Sequence, residues 1–177
     1  MTRECRRLYS GWPDGRLIQI KDKAGDSVNL KFAMKAAPAA ANSSFTYFDH
    51  DADVGVIGRG ATIEEAFESA ARATFAIMAD LEQVRPADAI ALDFEEADTE
   101  IALVRWLNLL ITLAREHRMT FCRFWVEKDG VHWRGGASGE PWRPGIDRGV
   151  EVKGATLTML CVRQDTAGWE ARCVVDV

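Results

Sequence analysis

Val54-Gly55-Val56-Ile57-Gly58-Arg59-Gly60-Ala61-Thr62-Ile63-Glu64-Glu65-Ala66-Phe67 is the stretch whose reading decides the fold, because a short strand gives way within it to a helix. Val54 to Arg59 has strand composition, with β-branched residues and glycine. Thr62-Ile63-Glu64-Glu65 then has the form of a capping box, in which the Thr62 hydroxyl accepts from the amide three residues on and Glu65 reaches back. Behind it Ile63, Ala66, Phe67, Ala70, Thr74, Ile77 and Met78 recur at helical spacing, which predicts a helix over 62–79 with one buried face. Glu64, Glu68 and Arg72 fall on the opposite face and read as solvated.

Working outward, Phe45-Thr46-Tyr47-Phe48 has the composition of a preceding strand. Ile90, Leu92 and Phe94 alternate with polar or small residues and predict another. Asp98 or Thr99 caps a second helix whose stripe is Leu103, Trp106, Leu107, Leu110, Leu113 and Ala114, ending near His117. Phe121 to Lys128 is a strand that meets Asp129-Gly130, the strongest short hairpin signal. Val131 and Trp133 carry the return strand, expected to run out at Gly135-Gly136. Residues 139–149 read as a turn-rich loop, and Val150 to Arg163 and Trp169 to Val177 as the last two strands. The order β-β-α-β-α-β-β-β-β, with hairpin links late in the chain, predicts an α+β fold: a mixed, mostly antiparallel β-sheet with two helices packed on one face.

A chain of 177 residues, 47% hydrophobic and 28% charged, has the balance of one globular core. Residues 1–44 read as a basic N-terminal extension or linker, partly ordered at most, and residues 45–177 as the domain. Leu17-Ile18-Gln19-Ile20 is a weak strand candidate in the extension, and Met34 an alternative start. No apolar run approaches a membrane span and no secretory signal is visible, so a cytoplasmic address is expected. Eight Lys/Arg against four Asp/Glu in residues 1–44 contrast with 14 against 23 in residues 45–177. A domain this acidic is poorly suited to gripping a phosphate backbone and better suited to cations or a basic protein surface. Four scattered cysteines, Cys5, Cys122, Cys161 and Cys173, form no C-x-x-C pair, and Cys161 and Cys173, in predicted strands, read as buried structural thiols.

The concentration of chemistry lies in Asp49-His50-Asp51-Ala52-Asp53. Three carboxylates so close repel one another unless they splay into solvent or share a cation, and hard divalent cations want such oxygens. A solvated acidic turn is the bland alternative. The C-terminal strand bears on that choice: period two puts Trp169, Ala171, Cys173, Val175 and Val177 on one face and Glu170, Arg172, Val174 and Asp176 on the other. Asp176 then stands beside the oxygens of Val177, a ready donor set. His50 is a ligand candidate, but flanked by carboxylates it reads rather as orienting a neighbour or facing solvent. His117 reads as a dipole complement at a helix end and His132 as a surface strand residue. Trp106 and Trp133 fit core faces, whereas Trp142, between prolines, is a candidate exposed contact residue. No phosphate-binding glycine loop, nucleophile elbow or H-E-x-x-H helix is present.

His50-Asp51-Ala52-Asp53-Val54-Gly55, Thr62-Ile63-Glu64-Glu65-Ala66-Phe67, Trp106-Leu107-Asn108, Glu151-Val152-Lys153 and Gly168-Trp169-Glu170-Ala171-Arg172 to Val175-Asp176-Val177 together resemble the archease family, over about residues 45–177. The resemblance implies a small accessory protein, not itself an enzyme, that activates an RtcB-type RNA ligase in tRNA splicing and RNA repair. It would promote guanylylation of the ligase and its multiple turnover, and touch RNA only indirectly. It further implies a divalent cation, calcium or magnesium/manganese, held by Asp53, Asp176 and Val177, with Asp51 and Lys153 in partner contact or activation. Asp51 stands where the family usually has Thr. Gly154, Leu157 and Thr158 stand where it commonly has Ala, Tyr and His, which puts the roles of that aromatic and imidazole in doubt. Two readings of another class stay open on the residues alone: a metal-dependent phosphoester hydrolase using the same carboxylates, which would need a general base and an open coordination position, and direct RNA binding by the basic arm.

Overall fold

The computed structural model describes residues 17–21, 27–33, 44–50 and 53–177. Ten strands and two helices follow in the order β1 (Leu17–Lys21), β2 (Ser27–Ala33), β3 (Ser44–His50), β4 (Asp53–Gly60), α1 (Ile63–Met78), β5 (Asp88–Glu95), α2 (Thr99–Glu116), β6 (Met119–Asp129), β7 (His132–Pro141), β8 (Gly154–Ala155), β9 (Cys161–Asp165) and β10 (Gly168–Asp176). The α+β class holds. Instead of a single sheet, the strands divide into two five-stranded sheets, β1-β2-β5-β7-β6 and β3-β4-β10-β8 with β9 also on β10. Every pairing is antiparallel.

Both helices lie between the sheets. Helix α1 begins as its capping box requires, with Thr62 Oγ1 accepting from the Glu65 amide and Glu65 Oε2 accepting from the Ala61 amide. Phe67 stacks on Trp133 of β7 at 4.9 Å between ring centroids, and Phe75 packs on Phe121 and Phe124 of β6. On its other side α1 lies against β4 so closely that a Cβ on Gly58 would meet the Ala66 carbonyl oxygen at 2.2 Å and the Ala70 nitrogen at 2.3 Å. Glycine is therefore a packing requirement there. Helix α2 is capped by Asp98, whose carboxylate accepts from the Glu100 and Ile101 amides. Its Leu103, Trp106, Leu107, Leu110 and Leu113 are fully buried.

Three expectations are corrected. Strand β7 does not stop at Gly135-Gly136 but runs to Pro141. Those glycines mark crowding, since a Cβ at Gly135 or Gly136 would collide with the rings of Trp106 or Trp125 and with strand backbone. The stretch from Val150 to Arg163 is not one strand but the short β8 and β9, interrupted around Met159, whose φ of 51° breaks an extended run. Glu68 is not on a solvated face. It is half-buried against β6, the outermost strand of its sheet, where its carboxylate accepts from the Val126 amide at 3.1 Å. That bond satisfies an edge-strand donor that would otherwise lack a sheet partner.

Candidate metal centre

The two acidic stretches meet at one end of the sheet formed by β3, β4, β10 and β8. The antiparallel register pairs Val54 with Val175, and one step further along both strands Asp53 comes level with Asp176. On the flanks, His50 of β3 pairs with Asp53, and Gly154 of β8 pairs with Asp176. His50, Asp53 and Asp176 thus form one cross-strand row. Paired residues on antiparallel strands project from the same face with Cβ atoms about 4.5–5.5 Å apart, so the two aspartates are direct neighbours.

That face is the outer one. Val175 and Cys173 are buried in the core, whereas Asp176, one residue out of phase, is half-exposed like Asp53. Two rows inward the surface changes character: Phe48 lies over Gly55, where a Cβ would meet its ring at 2.2 Å, beside the buried Val174. At the far end Glu170 is held between Arg59 (2.9 Å) and Arg163 (3.0 Å).

Lys153 closes the site. Its amide donates to the Asp176 carbonyl at 2.8 Å, which ties it to the end of β10. Its ammonium donates to a main-chain oxygen of Val177 at 2.8 Å and stands 3.7 Å from Asp176 Oδ1. Oxygens of Asp176 and Val177 therefore converge on a positive charge already, with Asp53 in the adjoining position. This arrangement fits a hard divalent cation, whose ligands are carboxylate and carbonyl oxygens. Among the described residues no three His, Cys, Asp or Glu side chains gather to hold a metal ion. A cation here would depend on two carboxylates and main-chain oxygen. Asp51 lies outside the described residues. His50 does not simply face solvent: its Nδ1 is buried and has no hydrogen-bond partner among the described residues.

Asn108, noted in the sequence only within Trp106-Leu107-Asn108, supports the site from α2. Its Oδ1 accepts from the Ala155 amide at 2.9 Å and its Nδ2 donates to the Ala155 carbonyl at 3.0 Å. The amide thereby completes the backbone pairing of the short β8 from the helix side. Arg115, one more helical residue, donates to the Lys153 carbonyl at 3.3 Å. The available signal was an amide inside the apolar run Trp106 to Leu110, since a buried amide must find partners.

The model of the Archease protein family (MTH1598/TM1083) matches residues 45–177. The chain belongs to the archease family. Curated archease proteins of Sulfolobus acidocaldarius and Methanothermobacter thermautotrophicus are 33% and 32% identical to it, each alignment covering 75% of this chain and 98% of the relative. The solution structure of protein 1598 from Methanobacterium thermoautotrophicum superposes with a TM-score of 0.68 at 32% identity, over 75% of this chain and 98% of that one. The archease match begins at Phe45, so β1 and β2 precede it. In this archease β2 extends the first sheet by pairing with β5, from Asn29 opposite Asp93 to Ala33 opposite Ala89.

Proposed function

We propose that the chain is a metal-binding accessory protein of an RtcB-type RNA ligase, acting in the cytoplasm to promote guanylylation and multiple turnover of that enzyme in tRNA splicing and RNA repair. Membership of the archease family supports the accessory role. The observation that carries the site is the register that sets Asp53 beside Asp176, with Val177 oxygen and the Lys153 ammonium at the same corner.

In this reading Asp53, Asp176 and the main-chain oxygens of Val177 hold one divalent cation, calcium or magnesium/manganese, which supplies concentrated positive charge for arranging phosphate oxygens. Bound cation and Lys153 compete for the same oxygens, so cation binding frees the ammonium to turn toward a partner. Asp51, which adds a negative charge next to Asp53 in the sequence, is assigned to partner contact. An acidic domain suits docking on a basic protein surface better than direct contact with RNA. The test is a guanylylation time course with purified ligase and limiting activator. Asp53→Ala is expected to slow repeated guanylylation at least about tenfold, the scale of losing a charge-assisted contact. Equal time courses for wild type and variant would remove Asp53 from the mechanism.

A further inference from the structure

On the other side of Val152 from the Lys153 corner, a cavity of about 730 Å³ opens between the C-terminal ends of both helices and the loop that joins β7 to β8. Its size falls within the range of small-molecule sites. The floor is apolar, built by Phe75, Ile111, Met119, Trp142 and Val152.

The wall is firmly pinned. Gly149 and Val150 donate their amides to the Met78 and Ile77 carbonyls, both at 2.9 Å, and so take up orphan acceptors at the end of α1. Asp147 is held by Gln83 through bonds of 2.8 and 2.9 Å. A Cβ at Gly149 would meet the Ile77 oxygen at 2.0 Å, so the loop approaches the helix as only glycine permits.

The charge of this cavity opposes that of the domain. Arg115, Arg118 and Arg148 line it against a single carboxylate, Glu151, which stands 3.7 Å from Arg115. The Arg148 guanidinium stands over the Trp142 ring, 4.4 Å from its centroid, a cation–π contact that does not itself use the guanidinium's hydrogen-bond donors. Arg118 has φ of 53°, in the left-handed region where a helix exit usually carries glycine. Complementing the α2 dipole does not require a side chain at that strained position, since Arg115 already provides a cation in the last turn. Two guanidiniums beyond the Arg115–Glu151 pair match the two charges of a phosphomonoester better than the single charge of a carboxylate.

We infer that this cavity binds a phosphomonoester with a flat, apolar body, the phosphate held by Arg118 and Arg148 and the body lying on the apolar floor of Phe75, Ile111, Met119 and Val152. A nucleotide and an aryl phosphate share this chemistry. The site does not depend on the ligase reading and uses none of its residues.

Calorimetric titration of the full chain with adenosine 5′-monophosphate, phenyl phosphate and inorganic phosphate tests it. Saturable one-to-one binding is expected for at least one organic phosphate, with inorganic phosphate weaker by about tenfold or more, the equivalent of one good contact. Tighter adenosine monophosphate identifies a nucleotide site, and tighter phenyl phosphate an aryl phosphate site. Arg118→Gly relieves the left-handed backbone, so its Tm is expected to be no lower than wild type while affinity falls about tenfold or more; Arg148→Gln is expected to weaken binding similarly. Unchanged affinity in Arg118→Gly, equal binding of inorganic phosphate, or no saturable binding of either organic phosphate at millimolar concentration would overturn the assignment.

Discussion

Glu68 shows how a single side chain departs from its pattern and leaves a measurable trace. Its carboxyl is pushed up to about 7, first by burial and then by Glu65, Glu64 and Glu127, against the opposing bond from the Val126 amide. Between the ordinary value near 4.5 and about 7, the folded chain holds a proton that the unfolded chain has released. Stability from this group is therefore full below pH 4.5 and is lost as pH rises through 7. Glu68→Gln keeps an acceptor for Val126 and removes the charge. In urea titrations it is expected to be more stable than wild type at pH 8 by about 1–2 kcal/mol, after allowance for solvent screening, and equal to it below pH 4.5. Greater wild-type stability at pH 8 would contradict this account. Glu140 shifts the opposite way, to about 2, because Arg85 and then Arg143 donate to its carboxylate. Its contribution is present above pH 4.5 and is lost as pH falls from there through 2.

Elements were legible where local chemistry defines them. The Thr62 capping box and the Asp98 cap start α1 and α2 where the sequence places them, and Asp129-Gly130 turns β6 into β7 with Gly130 at φ 63°. The hairpin strands were harder to bound because glycine has two meanings. At Gly130 it turns the chain, whereas at Gly135 and Gly136 it makes room for tryptophan rings inside a continuing strand. Strand β8 is the extreme case, since two residues carry no periodicity and its place is fixed by Asn108 from across the core. Asn108→Ala is expected to cost about 1–3 kcal/mol through two lost, partly buried bonds. It should also raise amide hydrogen exchange at Ala155 and loosen Lys153. Wild-type protection at Ala155 would show that β8 is held by pairing with β10 alone.

At the scale of the whole molecule, the two-sheet arrangement was not legible because strand composition does not say which strands pair. Alternation gave β5 and β10 their faces, but only tertiary packing of α1 between Trp133 and Gly58 assigns them to different sheets. The candidate centre was legible as two separate stretches, Asp53 and Asp176, and their meeting follows from the β4–β10 register. The same register would flip both side chains to the core if it slipped by one residue, which the buried Val56, Cys173 and Val175 prevent. Among the described residues no helix is long and apolar enough to cross a membrane.

The most direct test is the thermal shift produced by calcium, magnesium or manganese on wild type, Asp53→Asn, Asp176→Asn and the double variant. Carboxylates directly opposite one another repel, so Asp53→Asn without metal should melt no lower than wild type. Added divalent cation should raise the Tm of wild type, by the linkage that follows from binding to the folded state alone. Each single variant should lose most of that rise, and the double variant should lose little more, because the two residues act on one ion. A full cation-induced rise in Asp53→Asn, or no rise in wild type with any of the three metals, would contradict a cation held jointly by Asp53 and Asp176.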